Sequence, residues 1–213
     1  MKKPLDPARM VLTGNPVRAE VAALGTRPYP APAPGGTFHL FIVGGSLGAG
    51  VLSKVVPAAL SSLPEAERAR LDVVQQCRAE DIEAVRALYQ SAGIKARLDS
   101  FFSDVPDILA CAHLVIARSG ASTVAENAAA GRPALYVPAG YHADNQQHAN
   151  ADSIAARGGA WVMAEADFTP VALAALIGGM MAAPEKLAAA ALAARSCGVA
   201  DAAERLADLV LSV

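Results

Sequence analysis

The string FHLFIVGGSLGAG, residues 38–50, decides the fold. Phe38 to Val43 is a six-residue run of mostly apolar, strand-favouring side chains that ends on Gly44-Gly45, and helix-forming sequence begins at residue 49. A strand passing through glycines straight into a helix reads as a βα turn of an open sheet. The same alternation continues along the chain. Short apolar runs predict strands at 38–43, 71–75, 95–98, 113–117, 134–137 and 161–163. Alanine-rich stretches predict helices at 49–63, 80–92, 105–112, 122–130, 145–157, 170–181, 185–194 and 200–211. Runs with no polar break, such as Leu114-Val-Ile-Ala, imply burial on both faces, and helical crossovers imply parallel pairing. The expected class is therefore α/β, with a doubly wound parallel six-stranded sheet. Arg27-Pro-Tyr-Pro-Ala-Pro-Ala-Pro-Gly-Gly36 has proline spacing that forbids helix and favours an extended connector. It divides an N-terminal segment and connector, 1–36, from a domain spanning 37–213.

Composition narrows the function. The 213 residues are 54% hydrophobic and 18% charged, with a net charge of −2, which excludes disordered, collagen-like and disulfide-scaffold chains. A pI near 6.1 argues against nucleic acid as a partner. Mean hydropathy is +0.33, but the uncharged helical stretch 168–184 falls short of the ~20 apolar residues of a membrane span and reads as a helix ending at Gly178-Gly179. Cys77, Cys111 and Cys197 lie far apart and read as buried, reduced thiols. No apolar run follows Met1-Lys2-Lys3, so no secretory signal is expected, and the expected location is the cytoplasm.

In open α/β sheets ligands sit at the carboxyl ends of the strands, and three such ends are rich in glycine and polar residues: 44–50, 118–126 and 139–150. At the first, glycines allow close backbone approach, the following helix points free N–H groups at the turn, and Ser46 adds a hydroxyl, a combination suited to phosphate. The string is neither a P-loop nor GxGxxG, and a ligand-free βα turn has the same look. At the second, Arg118-Ser-Gly-Ala-Ser-Thr-Val-Ala-Glu126, Ser122 is the expected N-cap, and Glu126 is placed to accept from both hydroxyls of a ribose. An ordinary capped helix with an early acidic residue has the same pattern. At the third, Asp144 is the expected N-cap of the next helix, and the amides of 145–150 suit uncharged sugar hydroxyls. His142 and His148 lack metal-site spacing and read as surface or cap residues. A further segment, Asp99-Ser-Phe-Phe-Ser-Asp104, can line a base pocket, although adjacent phenylalanines are also ordinary core.

Together, GNPVR at 14–18, GGSLGA at 44–49, RSGASTVAE at 118–126, GRPALYVP at 131–138 and DNQQHANA at 144–151 resemble the carboxyl-terminal half of the MurG family. These glycosyltransferases of family 28 move N-acetylglucosamine from UDP-N-acetylglucosamine onto undecaprenyl-diphospho-muramoylpentapeptide, lipid I to lipid II, in peptidoglycan synthesis. The resemblance implies a Rossmann-like domain, one half of a GT-B fold, that binds the UDP-sugar. It places Arg18 and Ser46 near the diphosphate and Phe102 at the uracil-facing position, where backbone atoms read the base. It further places the N–H groups of Ala121, Ser122 and Thr123, with Val124 and Ala125 behind them, at phosphate, Glu126 at the ribose, and Gln146 and Gln147 at the sugar hydroxyls. Leu47 stands where the family often has Gln, and Asn145-Gln146 replaces its usual Asp-His.

The family's acceptor-binding amino-terminal domain has no counterpart here. The implied protein is thus a donor-binding half, inactive alone, whose missing partner domain joins it in cis or in trans. That domain supplies indirect membrane contact at the inner face and leaves an apolar interdomain surface. The implied reaction is an inverting transfer with no cofactor, no metal and no catalytic residue in this chain: Arg18 and two helix N-termini meet the charge of the departing diphosphate. The rival readings are a non-catalytic nucleotide-sugar-binding module, or a subunit of a split glycosyltransferase, and a UDP-sugar 2-epimerase-like enzyme.

Overall fold

The computed structural model describes residues 10–45, 50–140 and 145–212. Its strands are β1 (Phe38–Val43), β2 (Leu71–Gln76), β3 (Lys95–Asp99), β4 (Leu114–Ala117), β5 (Ala134–Tyr136) and β6 (Ala160–Val162). All pair in parallel, in the order β3-β2-β1-β4-β5-β6. The helices are α1 (Ala19–Leu24), α2 (Gly50–Ser61), α3 (Glu65–Arg68), α4 (Ile82–Ser91), α5 (Val105–Cys111), α6 (Ala121–Ala129), α7 (Gln146–Ala155), α8 (Pro170–Ala182), α9 (Pro184–Cys197) and α10 (Ala202–Leu211). The chain winds outward from β1 through β2 to β3, then returns to β4 and winds the other way. This is the doubly wound parallel α/β sheet expected.

Strand alternation sends side chains into two cores. Phe38, Leu40 and Ile42 join Leu52, Leu60, Tyr89 and Ile177 of α2, α4 and α8 on one face. Phe41, Val115, Ala117 and Tyr136 join Leu109, Val124 and Ile154 of α5, α6 and α7 on the other. The four residues of β4 are buried throughout, as a central strand covered on both sides must be.

Several local readings need correction. The N-terminal segment contains α1, whose Val21 and Leu24 are buried against α5 and α6; six residues are too few to show a helical period. α6 begins at Ala121 with Gly120 as its N-cap and no side-chain cap, so Ser122 lies inside the helix. α8 continues through Gly178-Gly179 to Ala182, because the buried Met180 and Met181 hold its last turn. Asp144 lies outside the described residues, and Asn145, in the left-handed region at φ 50°, is the N-cap of α7. Cys77 is buried, Cys111 is exposed and Cys197 is half-buried, all free.

The connector is held by a buried arginine. The guanidinium of Arg132, 1% exposed, donates from Nε to the carbonyl of Leu109 (2.5 Å), from Nη1 to that of Ala130 (3.0 Å) and from Nη2 to that of Ala110 (3.3 Å). It stands 5.8 Å from the Tyr29 ring centroid, and the Tyr29 hydroxyl donates to the carbonyl of His113 (2.7 Å). The Nδ1 of His113 accepts from the His39 N–H (3.0 Å). Burial, reinforced by His39 and Arg132, pushes the His113 pKa down to about 4.

A histidine whose folded pKa lies below its unfolded value of ~6.5 stabilises the fold fully above that value, and the contribution is lost as pH falls toward 4. Urea titrations at pH 7 and pH 4.5 are expected to show a loss on the order of 2 to 3 kcal/mol. His113→Gln, which keeps an acceptor but does not titrate, is expected to flatten this part of the pH dependence.

Candidate functional site

The winding direction reverses between β1 and β4, so the turns leaving their carboxyl ends flank one crevice. The β1 turn starts at Gly44 and Gly45, the latter at φ +81° with open space where a Cβ would stand; backbone conformation, not crowding, calls for glycine there. Residues 46–49, including Ser46 and Leu47, lie outside the described residues, as do 141–144 with His142. Gly50, the first residue of α2, comes close to the guanidinium of Arg78 from the end of β2: a Cβ on it would lie 3.6 Å from the nearest guanidinium atoms.

The β4 turn is better defined. The first α6 backbone bond runs from the Val124 N–H to the carbonyl of Gly120 (3.0 Å), so the amides of Ala121, Ser122 and Thr123 precede the first helical donor and have no acceptor within the helix. Ala121 and Ser122 are exposed, Thr123 and Ala125 half-buried and Val124 buried. Glu126, on the next turn, receives a two-pronged ion pair: Arg18 Nε donates to Oε1 at 2.7 Å and Nη2 to Oε2 at 2.8 Å. The bond to Glu126 raises the Arg18 pKa, with Glu20 adding to it. GNPVR and RSGASTVAE thus meet, although the two residues lie 108 positions apart. Gly14, at φ +87°, makes the approach possible: a Cβ there would stand 2.9 Å from the side chain of Val199. Leu12, Gly14 and Asn15 then form one wall of an open cleft of about 340 Å³, with Ala121, Val124 and Ala125 of α6 and Asn150 of α7 opposite.

Phe102 is buried in the core, edge-on to Phe41 at 6.4 Å, with the Arg97 guanidinium 4.9 Å from its ring centroid. Its side chain is therefore a wedge under the 99–104 loop, whereas Phe101 is 73% exposed. Gln146 is exposed at the start of α7. Gln147 spends its Oε1 accepting from the Ala139 N–H at 2.9 Å, which binds α7 to the end of β5. His148 is half-buried, and among the described residues no group of three His, Cys, Asp or Glu is placed to hold a metal ion.

Four sets of bracing contacts escape the sequence reading. Gln76, the last residue of β2, accepts from the Gly44 N–H (3.2 Å) and donates to the carbonyl of Ser100 (3.0 Å), linking the glycine turn to the 99–104 loop. That loop is closed by the two-pronged Arg97–Asp104 pair (2.7 and 2.9 Å), which lowers the Asp104 pKa. Arg118 donates to the carbonyl of Val137 (2.9 Å) and pairs with Glu165 (2.6 Å). Asn150 donates to the carbonyl of Ser119 (3.0 Å), joining α7 to the α6 turn. The one signal available for Gln76 and Arg118 was a polar residue at the end of an apolar strand. Gln76→Leu, similar in size but unable to bond, is expected to raise amide exchange at residues 44 and 100–102 about tenfold, with little change in the sheet.

Residues 39–206 match the glycosyltransferase family 28 C-terminal domain. The chain is 51% identical over 207 residues to the "UDP-N-acetylglucosamine--N-acetylmuramyl-(pentapeptide) pyrophosphoryl-undecaprenol N-acetylglucosamine transferase" of Rhodospirillum centenum, covering 97% of this chain and 55% of the relative. The protein of the same name from Rhodospirillum rubrum is 56% identical over 203 residues, 95% of this chain and 52% of the relative. The chain therefore spans about half the length of the curated relatives it matches. Among solved structures, Acinetobacter baumannii MurG superposes with a TM-score of 0.77 at 32% identity, covering 87% of this chain and 55% of that one. A putative UDP-N-acetylglucosamine 2-epimerase from Listeria monocytogenes has a TM-score of 0.64 at 19% identity, covering 98% and 54%, a likeness of fold alone.

Proposed function

This chain belongs to the glycosyltransferase family 28 C-terminal domain family, and we propose on that premise that it holds UDP-N-acetylglucosamine as the donor-binding half of an N-acetylglucosaminyltransferase, with Arg18 of the N-terminal segment joining the site of the domain at 37–213. The acceptor is the lipid-linked muramoylpentapeptide of peptidoglycan synthesis, bound by a second domain that joins this one in cis or in trans. Through that domain the assembly works at the cytoplasmic face of the membrane. Among the described residues no single helix is long and apolar enough to cross a membrane.

The observation that carries this reading is the meeting of Arg18 with Glu126 beside the first turn of α6. It gathers a guanidinium, a carboxylate and a set of helix-start amides, the groups that a nucleoside diphosphate needs. The early amides of α6, the positive end of its dipole and the outer edge of Arg18 face the diphosphate. Ser46 extends this set from the glycine turn. Glu126 takes the ribose hydroxyls, backbone atoms of the loop over Phe102 read the uracil, and Gln146 and Gln147 bind the sugar. In transfer, the acceptor hydroxyl attacks the anomeric carbon in line while the bond to the diphosphate breaks. The charge that collects on the departing UDP is stabilised where Arg18 and the α6 amides already stand. The base that takes the acceptor proton lies in the second domain.

Isothermal titration with UDP is expected to give a Kd on the order of micromolar, weakened about tenfold by Arg18→Ala or Glu126→Ala, the value of one bond to a charged group. Unchanged affinity in both variants overturns the site. Adding a separately expressed acceptor domain and assaying sugar transfer distinguishes a half-enzyme from a binding module.

A further inference from the structure

Arg18 occupies both oxygens of Glu126 at once. A carboxylate offers about four acceptor directions and a guanidinium five N–H donors in a rigid plane, so this pair leaves capacity on both partners. Each Glu126 oxygen keeps one direction for a further donor, and the carboxylate plane is set by the fork. Two oxygens held in one plane, each with room for one bond, match two neighbouring hydroxyls. The fork itself is anchored from behind. Pro16 restricts the backbone two residues earlier, Arg18 is the extended N-cap of α1, and Val21 and Leu24 fasten α1 in the core. Glu126 stands on α6, and its side chain is 18% exposed. Glu20 is the other charged group acting on Arg18.

We infer that Arg18 is a positioning residue for Glu126, and that by fixing this carboxylate it sets the preference of the nucleotide site for ribose over deoxyribose. The inference rests on the proposed function and deepens it, because it assigns Arg18 a task at the sugar of the nucleoside in addition to any contact with phosphate. Without the fork, Glu126 is a three-rotor side chain on a helix surface. Binding a diol must then also pay its rotamer entropy, and the benefit of the second hydroxyl shrinks. Lysine cannot replace arginine here, since a single ammonium point sets no plane.

The test is calorimetric titration of UDP and 2′-deoxyuridine 5′-diphosphate into the chain and into Arg18→Gln, Arg18→Lys and Glu126→Gln. The unmodified chain is expected to prefer UDP by about tenfold, and each of the three variants to reduce the preference to about twofold. Arg18→Lys keeps the positive charge, so it separates loss of the plane from loss of attraction, and it serves where Arg18→Gln fails to fold. If the Arg18 variants bind both nucleotides more weakly but keep the preference, the inference is overturned and the proposed function stands, with Arg18 acting on phosphate or as a tether. If the unmodified chain binds neither nucleotide, or shows no preference, the assignment of Glu126 to ribose falls and takes the inference with it.

Discussion

Parallel pairing of β1 with β4 is the constraint on which the site depends. Because every strand runs the same way, every strand leaves its carboxyl end on one edge, and each following helix starts there with amides that have no helical acceptor. Those helices also direct the positive ends of their dipoles at that edge. An antiparallel sheet would scatter the same turns over two edges. The order reversal at β1 and β4 then separates α2 from α6, because one helix lies on each face of the sheet. Two helix starts thus stand on either side of the edge where β1 and β4 end, while the apolar strands behind that edge are closed off by the two cores.

A crevice of mobile turns would bind weakly, since ordering them would consume part of the binding energy. Here the turns are tied by side chains that point back into the protein. Gln76 ties the glycine turn to the 99–104 loop, Arg118 ties β4 to β5, and Asn150 and Gln147 fasten α7 to the turns beside it. Each of these bonds joins a side chain of one element to a backbone group of another, and so fixes a spacing between two parts of the site.

Much of this was legible in the sequence, for definite reasons. Strand runs such as Leu114-Val-Ile-Ala carry their burial openly, and βα turns display their glycines, so the sheet, its parallel sense and the three polar strand ends could be read directly. The pairing of Arg18 with Glu126 could not, because it depends on α1 docking against α6. The adjacent phenylalanines leave open which ring is core and which is free, because single-residue chemistry does not tell a wall from a floor; the Phe102 ring is the internal wedge and Phe101 the exposed one. Ser122 was read as a cap because a hydroxyl near a helix start usually is one. An extended Gly120 moved the boundary by one residue and took that role without a side chain.

Arg132 and Arg18 serve in different ways, and the difference bears on the role proposed for the exposed pair. Arg132 is buried and donates to the backbone carbonyls of Leu109, Ala110 and Ala130, tying α5 to the end of α6, so its value is stability. Arg18 is 42% exposed on its side chain, and pairs so exposed contribute about 0 to 1 kcal/mol. An interaction that weak cannot close a 108-residue separation by itself. The burial of Val21 and Leu24 closes it, and the fork forms because the fold has already brought the partners together. What the fork adds is then orientation, not cohesion. A carboxylate held in one plane on the second turn of α6 adds little to a folded chain's stability, and it is the arrangement that the proposed recognition of two adjacent hydroxyls requires.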